Sequence, residues 1–91
     1  MLRLMIVDDD EILRNGLVHN ICWSEKNIEV VGTAKNGKEA VEKISVLAPD
    51  LILSDVQMPF MDGLELAEYV YKVYPEIKVI LLTAFEIFEC A

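Results

Sequence analysis

The chain has 91 residues, and its length and composition already exclude several classes of protein. Hydrophobic residues make up 54% of the chain and charged residues 26%, which is typical of one folded domain and not of a disordered chain. A net charge of −8 argues against a chain that binds nucleic acid, and the apolar runs are too short to cross a membrane. Without an export signal and with only two cysteines, we expect a cytoplasmic protein.

Short apolar runs alternate with helical periodicity along the sequence. The predicted strands cover residues 2–7, 28–34, 51–54 and 78–82. Helical patterns follow the first three strands, over residues 10–21, 40–48 and 62–74, and residues 85–91 begin a further pattern that we interpret as helical. Strands and helices that alternate at this spacing predict right-handed crossovers, and therefore an α/β fold with a parallel sheet covered on both faces.

Polar residues follow the predicted strands at the points where those strands end. Asp8, Asp9 and Asp10 follow the first strand, Asp55 follows the third, and Thr83 follows the fourth. All strands of a parallel sheet end on the same side, and ligands of open α/β sheets bind outside those carboxyl ends. We therefore expect these side chains to converge on one edge of the sheet.

Two of the acidic residues have an ordinary structural interpretation. Asp10 is predicted to cap the N-terminus of the first helix, because an aspartate oxygen there accepts hydrogen bonds from free backbone N–H groups. Asp62 with Glu65 three positions later has the pattern of a capping box and is predicted to cap the third helix. Neither role accounts for the aspartates at positions 8, 9 and 55.

The three remaining aspartates, Asp8, Asp9 and Asp55, suggest a metal site. Two carboxylates about 4 Å apart repel each other by about 4 kcal/mol at an effective dielectric constant near 20. Raised pKa values or a bound cation would relieve that repulsion, and Mg²⁺ prefers carboxylate, water and phosphate oxygens. A carboxylate that is left over in such a site can attack phosphorus as a nucleophile.

The residues around these aspartates resemble the receiver domain of two-component response regulators. The resemblance is carried by Val7-Asp8-Asp9, by residues 53–63 (LSDVQMPFMDG) and by Leu82-Thr83-Ala84. It implies a doubly wound, flavodoxin-like sheet and one receiver domain over residues 1–91. Further similarity to receivers of AraC-type DNA-binding regulators, which implies a role in transcription regulation, is found at Trp23, Val30-Val31-Gly32 and Asn36-Gly37.

The resemblance also implies a role for individual residues. Asp55 would be the phosphoacceptor and would share a Mg²⁺ ion with Asp9, with Asp8 directly or through water, and with the backbone carbonyl of Gln57. The phosphoryl group would come from a phosphohistidine of a sensor histidine kinase. Thr83 would be the switch residue. Three residues would shape the loop after the third strand, namely Met58, Pro59 and Gly63.

The resemblance does not extend to the end of the receiver fold. The family continues through a fifth strand and a last helix and places a lysine at the end of that strand, whereas the last lysine here is Lys78. We therefore expect a C-terminally incomplete receiver with strand order 2-1-3-4, in which the fifth strand and last helix are missing and phosphoryl transfer is impaired. The fourth strand would then be an open edge that favours a homodimer or a segment-exchanged oligomer.

Two alternative functions are weighed against phosphorylation at position 55. One is a receiver-like interaction module that is not phosphorylated. The other is a fragment of a haloacid-dehalogenase-type phosphatase, suggested by Asp8-x-Asp10, although Ile12 stands where that family has Thr or Val. As a signalling domain the chain would not be an enzyme, apart from catalysing its own phosphorylation and dephosphorylation. Because it contains no helix-turn-helix, we expect no binding to nucleic acid by this chain.

Overall fold

The computed structural model describes residues 1–82 and, for residues 87–90, the course of the backbone. Strands and helices alternate along most of the described chain, as the sequence predicts. In chain order they are β1 (Leu2–Val7), α1 (Glu11–His19), a 3₁₀ helix (Trp23–Lys26), β2 (Ile28–Ala34), α2 (Gly37–Leu47), β3 (Leu51–Asp55), α3 (Gly63–Val73), β4 (Lys78–Leu82) and β5 (Ile87–Cys90).

The strands form one sheet in the order β2-β1-β3-β4-β5. The first four strands pair with one another in parallel, which confirms the predicted order 2-1-3-4. The register of β1 aligns Val7 with Ala34 of β2 and with Ser54 of β3. The loops that follow β1 and β3 therefore leave the sheet side by side at its carboxyl edge.

The core lies on both faces of the sheet because successive side chains of a strand point to opposite faces. On β1, Met5 and Val7 join the core cluster under α2 and α3, whereas Leu4 and Ile6 join the cluster under α1. This arrangement explains why β1 reads as a continuous apolar run and not as an alternating one. None of the helices described has the length and apolar character that a membrane span requires.

The first helix is shorter than its periodicity predicts. It ends at His19, although the apolar pattern extends to Ile21. The indole Nε1 of Trp23 donates a hydrogen bond of 2.9 Å to the carbonyl oxygen of Leu17 in the last turn. Trp23 thereby satisfies a terminal carbonyl from the side, and the chain turns into the 3₁₀ helix.

The prediction for the end of the chain is wrong in one respect. Residues 87–90, expected to be helical, form β5, which runs antiparallel to β4 with Leu82 opposite Ile87 and Val79 opposite Cys90. The N–H and C=O groups along an unpaired strand edge lack hydrogen-bond partners, and β5 provides such partners for β4. The expectation of an open edge at β4 is therefore wrong as well, because the outer strand is β5. A parallel fifth strand is not found in the described ranges.

Candidate functional site

Three carboxylates that are distant in sequence meet at the carboxyl edge of the sheet. Asp8, Asp9 and Asp55 each offer an oxygen, and these oxygens all lie within 4.8 Å of one another. The cause is the adjacent, parallel pairing of β1 and β3, which places the residue after Val7 beside the last residue of β3. The predicted convergence of these three aspartates is thus present in the structure.

Asp8 is the most buried member of the cluster, with 1% of its surface exposed. Its N–H donates to the carbonyl of Ala34 at 3.0 Å, and its Oδ1 accepts from the N–H of Asp10 at 2.9 Å. Its Oδ2 is buried and has no hydrogen-bond partner among the residues that the structure describes. A buried polar atom without a hydrogen-bond partner destabilises the fold. A ligand that binds this oxygen would therefore stabilise it.

The electrostatics of the cluster favour the same conclusion. Burial raises the pKa of the Asp8 carboxyl above its ordinary value, and the neighbouring carboxylates of Asp55 and Asp9 raise it further. The hydrogen bond from Asp10 opposes this shift but does not cancel it. A bound cation would reduce the repulsion between the three carboxylates and would provide a partner for Oδ2 of Asp8. Because all the donors are oxygen atoms, the site fits a hard divalent ion.

The loop after β3 depends on a glycine at the start of α3. The N–H of Gly63 donates to the carbonyl of Val56 at 2.8 Å. A Cβ at Gly63 would overlap the carbonyl oxygen of Asp55 and would lie 3.0 Å from Cα of Val56. The absence of a side chain at position 63 therefore lets the helix start pack directly on the backbone that carries Asp55.

The middle of the same loop is tied to the start of α2. The N–H of Gly37 donates to the carbonyl of Met61 at 3.0 Å, and a Cβ at Gly37 would lie 2.6 Å from that carbonyl oxygen. Phe60, beside Met61, has φ of 69°, a left-handed conformation that is unusual for a residue with a side chain, and its ring is 84% exposed. The loop is thus held from two sides, at Gly63 and at Gly37.

The other predicted loop residues differ in their surroundings. Met58 is half-buried against the core under α2 and α3, whereas Pro59 and Gln57 are exposed. The backbone carbonyl of Gln57 as a metal ligand remains a prediction. Thr83, the predicted switch residue, lies outside the described residues.

The predicted caps lie at the helix starts that border the site. Asp10 is the N-cap of α1 and accepts hydrogen bonds from the N–H groups of Ile12 and Leu13. Asp62 and Glu65 form a capping box at the start of α3, with each side chain bonded to the backbone N–H of the other residue. Both helix starts are therefore anchored next to the carboxylate cluster.

Two functional features escaped the sequence analysis. Asn36, to which no capping role is assigned from the sequence, is the N-cap of α2, and its side chain accepts a hydrogen bond from the N–H of Glu39 at 2.8 Å. The spacing Asn-x-x-Glu is a signal for this cap. Arg14 on α1 donates from Nη1 to the carbonyl oxygen of Asp8 at 2.8 Å. No sequence pattern predicts this contact, because it depends on the conformation of the turn between β1 and α1.

The site and the fold can now be compared with known proteins. The family model for the response regulator receiver domain matches residues 4–89, which include β2, β3 and β4, most of β1, and all three clustered aspartates. The chain belongs to this family. The receiver domain has 44% identity over 84 residues to the response regulator protein VraR of Staphylococcus saprophyticus. It has 40% identity over 91 residues to YesN, an uncharacterized transcriptional regulatory protein of Bacillus subtilis.

These relatives are much longer than the receiver domain itself. The alignment to VraR covers 92% of this chain and 40% of VraR, and the alignment to YesN covers 100% of this chain and 25% of YesN. Among solved structures, the receiver domain of AraT, a response regulator of Geobacillus stearothermophilus, superposes with a TM-score of 0.83 at 38% identity. That superposition covers 90% of this receiver domain and 64% of the AraT chain.

Proposed function

We propose that this receiver domain accepts a phosphoryl group on Asp55 in a reaction that requires Mg²⁺. The observation that carries the proposal is the cluster of Asp8, Asp9 and Asp55, which each offer an oxygen within 4.8 Å of the others. One buried oxygen of Asp8 has no hydrogen-bond partner within the described part of the chain. Membership of the response regulator receiver family supports a signalling role. The phosphodonor is a phosphohistidine on a sensor histidine kinase.

Burial supports Asp55 over Asp8 as the nucleophile. Asp8 is 1% exposed and one of its oxygens is engaged by the N–H of Asp10, so a phosphodonor has little access to it. Asp55 is half-buried at the end of β3 and can be reached from solvent. The same comparison weighs against a phosphatase of the haloacid dehalogenase type, which would need Asp8 as its nucleophile.

The transfer itself exchanges one bond to phosphorus for another. An oxygen of Asp55 forms a bond to phosphorus while the bond between phosphorus and the histidine nitrogen breaks, and the electron pair leaves with the imidazole ring. Asp8, Asp9, Asp55 and the backbone carbonyl of Gln57 are the groups that would hold Mg²⁺. When bound, the ion supplies positive charge close to the phosphoryl oxygens.

The consequence of phosphorylation is a change of charge at the carboxyl edge of the sheet. A phosphoryl group adds a charge of about −1.5 to −2 and strong hydrogen-bond acceptors. In our proposal the hydroxyl of Thr83 responds to it as the switch, and a longer regulator that contains the domain alters transcription in the cytoplasm. The similarity to YesN, an uncharacterized transcriptional regulatory protein, supports this part of the proposal.

Phosphorylation by a small-molecule donor tests the proposal without knowledge of the kinase. We expect acetyl phosphate with Mg²⁺ to add one phosphoryl group to part of the chains, because transfer is predicted to be impaired, and we expect chelation of Mg²⁺ to prevent the reaction. Intact mass spectrometry detects the adduct. Asp55→Asn abolishes the adduct, whereas Asp50→Asn removes the same charge from an exposed residue just before β3 and leaves it unchanged. An adduct that persists in Asp55→Asn, or an unmodified wild-type chain, contradicts the proposal.

A further inference from the structure

We propose that Arg14 is a positioning residue for the metal site and that it acts by holding the peptide group between Asp8 and Asp9. This inference rests on the proposed function, because it assumes that the carboxylate cluster binds Mg²⁺. It concerns a cationic side chain beside a site that is otherwise acidic.

Arg14 is attached to both sides of the turn that carries Asp9. Its guanidinium Nη1 donates to the carbonyl oxygen of Asp8 at 2.8 Å, and its backbone N–H donates to the carbonyl oxygen of Asp10 at 2.8 Å. The side chain is half-buried. Within residues 1–82 it forms no ion pair, so its one side-chain hydrogen bond goes to the main chain of the site.

The position of Asp9 depends on this attachment. Asp9 is exposed, and no hydrogen bond holds its carboxylate in the part of the chain that the structure describes. The carbonyl of Asp8 belongs to the same rigid peptide plane as the N–H of Asp9. By fixing that plane, Arg14 fixes the direction in which the Asp9 side chain leaves the backbone and keeps its oxygen close to those of the other two aspartates.

The charge of Arg14 and its hydrogen bond have opposite effects on a bound cation. A guanidinium near the site repels Mg²⁺, so loss of the charge alone would strengthen binding. Loss of a group that orients a metal ligand weakens binding, commonly by about 10- to 100-fold. The sign of the change in Mg²⁺ affinity therefore separates a positioning role from a purely electrostatic one.

The test is a titration of the metal-free chain with Mg²⁺ by isothermal calorimetry. We expect Arg14→Met, which keeps the apolar stem, to bind Mg²⁺ about tenfold more weakly than the wild type. Arg14→Lys keeps the charge and a donor and recovers most of the affinity. Lys72→Met removes an exposed cation from the last turn of α3 and changes the affinity by less than about twofold, because exposed charges are screened.

Each outcome bears on the inference. Unchanged or tighter Mg²⁺ binding by a folded Arg14→Met overturns it while the proposed function stands. A wild-type chain that does not bind Mg²⁺ overturns the proposed metal site and this inference together. If thermal denaturation shows that Arg14→Met does not fold, Arg14→Gln, which is too short to reach the Asp8 carbonyl, replaces it, and wild-type affinity in that variant likewise overturns the inference.

Discussion

Asp8 is the residue at which stability and function oppose each other. It is buried just after β1, one of its oxygens has no hydrogen-bond partner in residues 1–82, and Asp55 and Asp9 place negative charge beside it. A stable fold without a ligand would not need this carboxylate. Its presence is understandable if a cation completes the site, because the cation would supply both the missing partner and the missing positive charge.

The raised pKa of Asp8 makes the stability of the fold depend on pH. Because the folded chain binds this proton more tightly than the unfolded chain does, stability falls as pH rises from the ordinary value of 3.8 through the raised pKa. Above this pH range the carboxyl is ionised in the folded chain, and the full free-energy cost of the buried charge is present. We expect Asp8→Asn to remove it and, without metal near pH 7, to stabilise the fold by on the order of 1 kcal/mol, or about 4–8 °C in Tm.

Thermal denaturation in metal-free buffer between about pH 4 and pH 7 measures this effect as the difference in Tm between Asp8→Asn and the wild type. The difference is expected to grow with pH. Asp9→Asn removes the same charge from an exposed neighbour and serves as the control, with a much smaller change in Tm. A difference that is negative at neutral pH, or independent of pH, contradicts this interpretation of Asp8.

At the scale of elements, the junction between β3 and α3 is the most constrained part of the site. Gly63 packs on the backbone of Asp55, and Asp62 and Glu65 cap the helix that begins there. We expect Gly63→Ala to destabilise the fold by about 1–3 kcal/mol, because its Cβ would overlap the carbonyl oxygen of Asp55 and force backbone to move.

Chemical denaturation of Gly63→Ala beside Gly16→Ala provides the matched comparison. A Cβ at Gly16, in the interior of α1, would meet the side chain of Asn20 at 3.5 Å, which is an ordinary contact. Alanine is the better helix former there, so Gly16→Ala is expected to stabilise the chain by about 0.5–1 kcal/mol. Equal effects of the two substitutions would show that the close approach at Gly63 has no energetic importance.

The elements that could be predicted from the sequence are those whose pattern has one interpretation. β1 is of this kind because it is a continuous apolar run, and α1 and α3 are because their apolar residues recur with the helical period and their caps, Asp10 and Asp62, are explicit. The segment after β4 is different: in FEIFEC the apolar residues at 85, 87, 88 and 90 fit neither period well. The strand conformation of residues 87–90 is decided by pairing with the edge of β4, which is tertiary information.

The same distinction applies to the site. The aspartates were predictable because strand order brings the ends of β1 and β3 together and carboxylates at such ends are easily recognised. The contact of Arg14 with the Asp8 carbonyl was not predictable, since a side chain that bonds to main chain leaves no paired residue in the sequence. The left-handed backbone of Phe60 was not predictable either, because phenylalanine rarely adopts a positive φ and its presence in a sequence does not indicate one.

At the scale of the whole molecule, β5 determines which edge the sheet presents to other chains. It covers β4, with Glu89 opposite Ile80, and so removes the edge on which dimerisation was expected. We expect Glu89→Pro to uncover β4 and increase self-association, because proline fixes φ near −65° and cannot adopt the antiparallel strand conformation. Glu89→Thr, which removes the same charge but favours a strand, is the control.

Light scattering after size-exclusion chromatography, over a range of protein concentrations, measures this self-association. The average mass of Glu89→Pro is expected to rise with concentration more steeply than that of Glu89→Thr. If both variants have the same mass at every concentration while circular dichroism shows a folded chain, pairing by β5 does not limit association. The edge of β4 would then be protected by other means.

In our proposal Asp55 is the carboxylate that accepts the phosphoryl group, and Asp8 and Asp9 bind the metal ion beside it. The most direct measurement is to treat the chain with acetyl phosphate and Mg²⁺, reduce the acyl phosphate with borohydride, and locate the reduced residue by peptide mass spectrometry. We expect reduction at Asp55 alone, and we expect no reduced residue when Mg²⁺ is chelated. Reduction at Asp8 or Asp9, or the same yield at Asp55 without Mg²⁺, would contradict it.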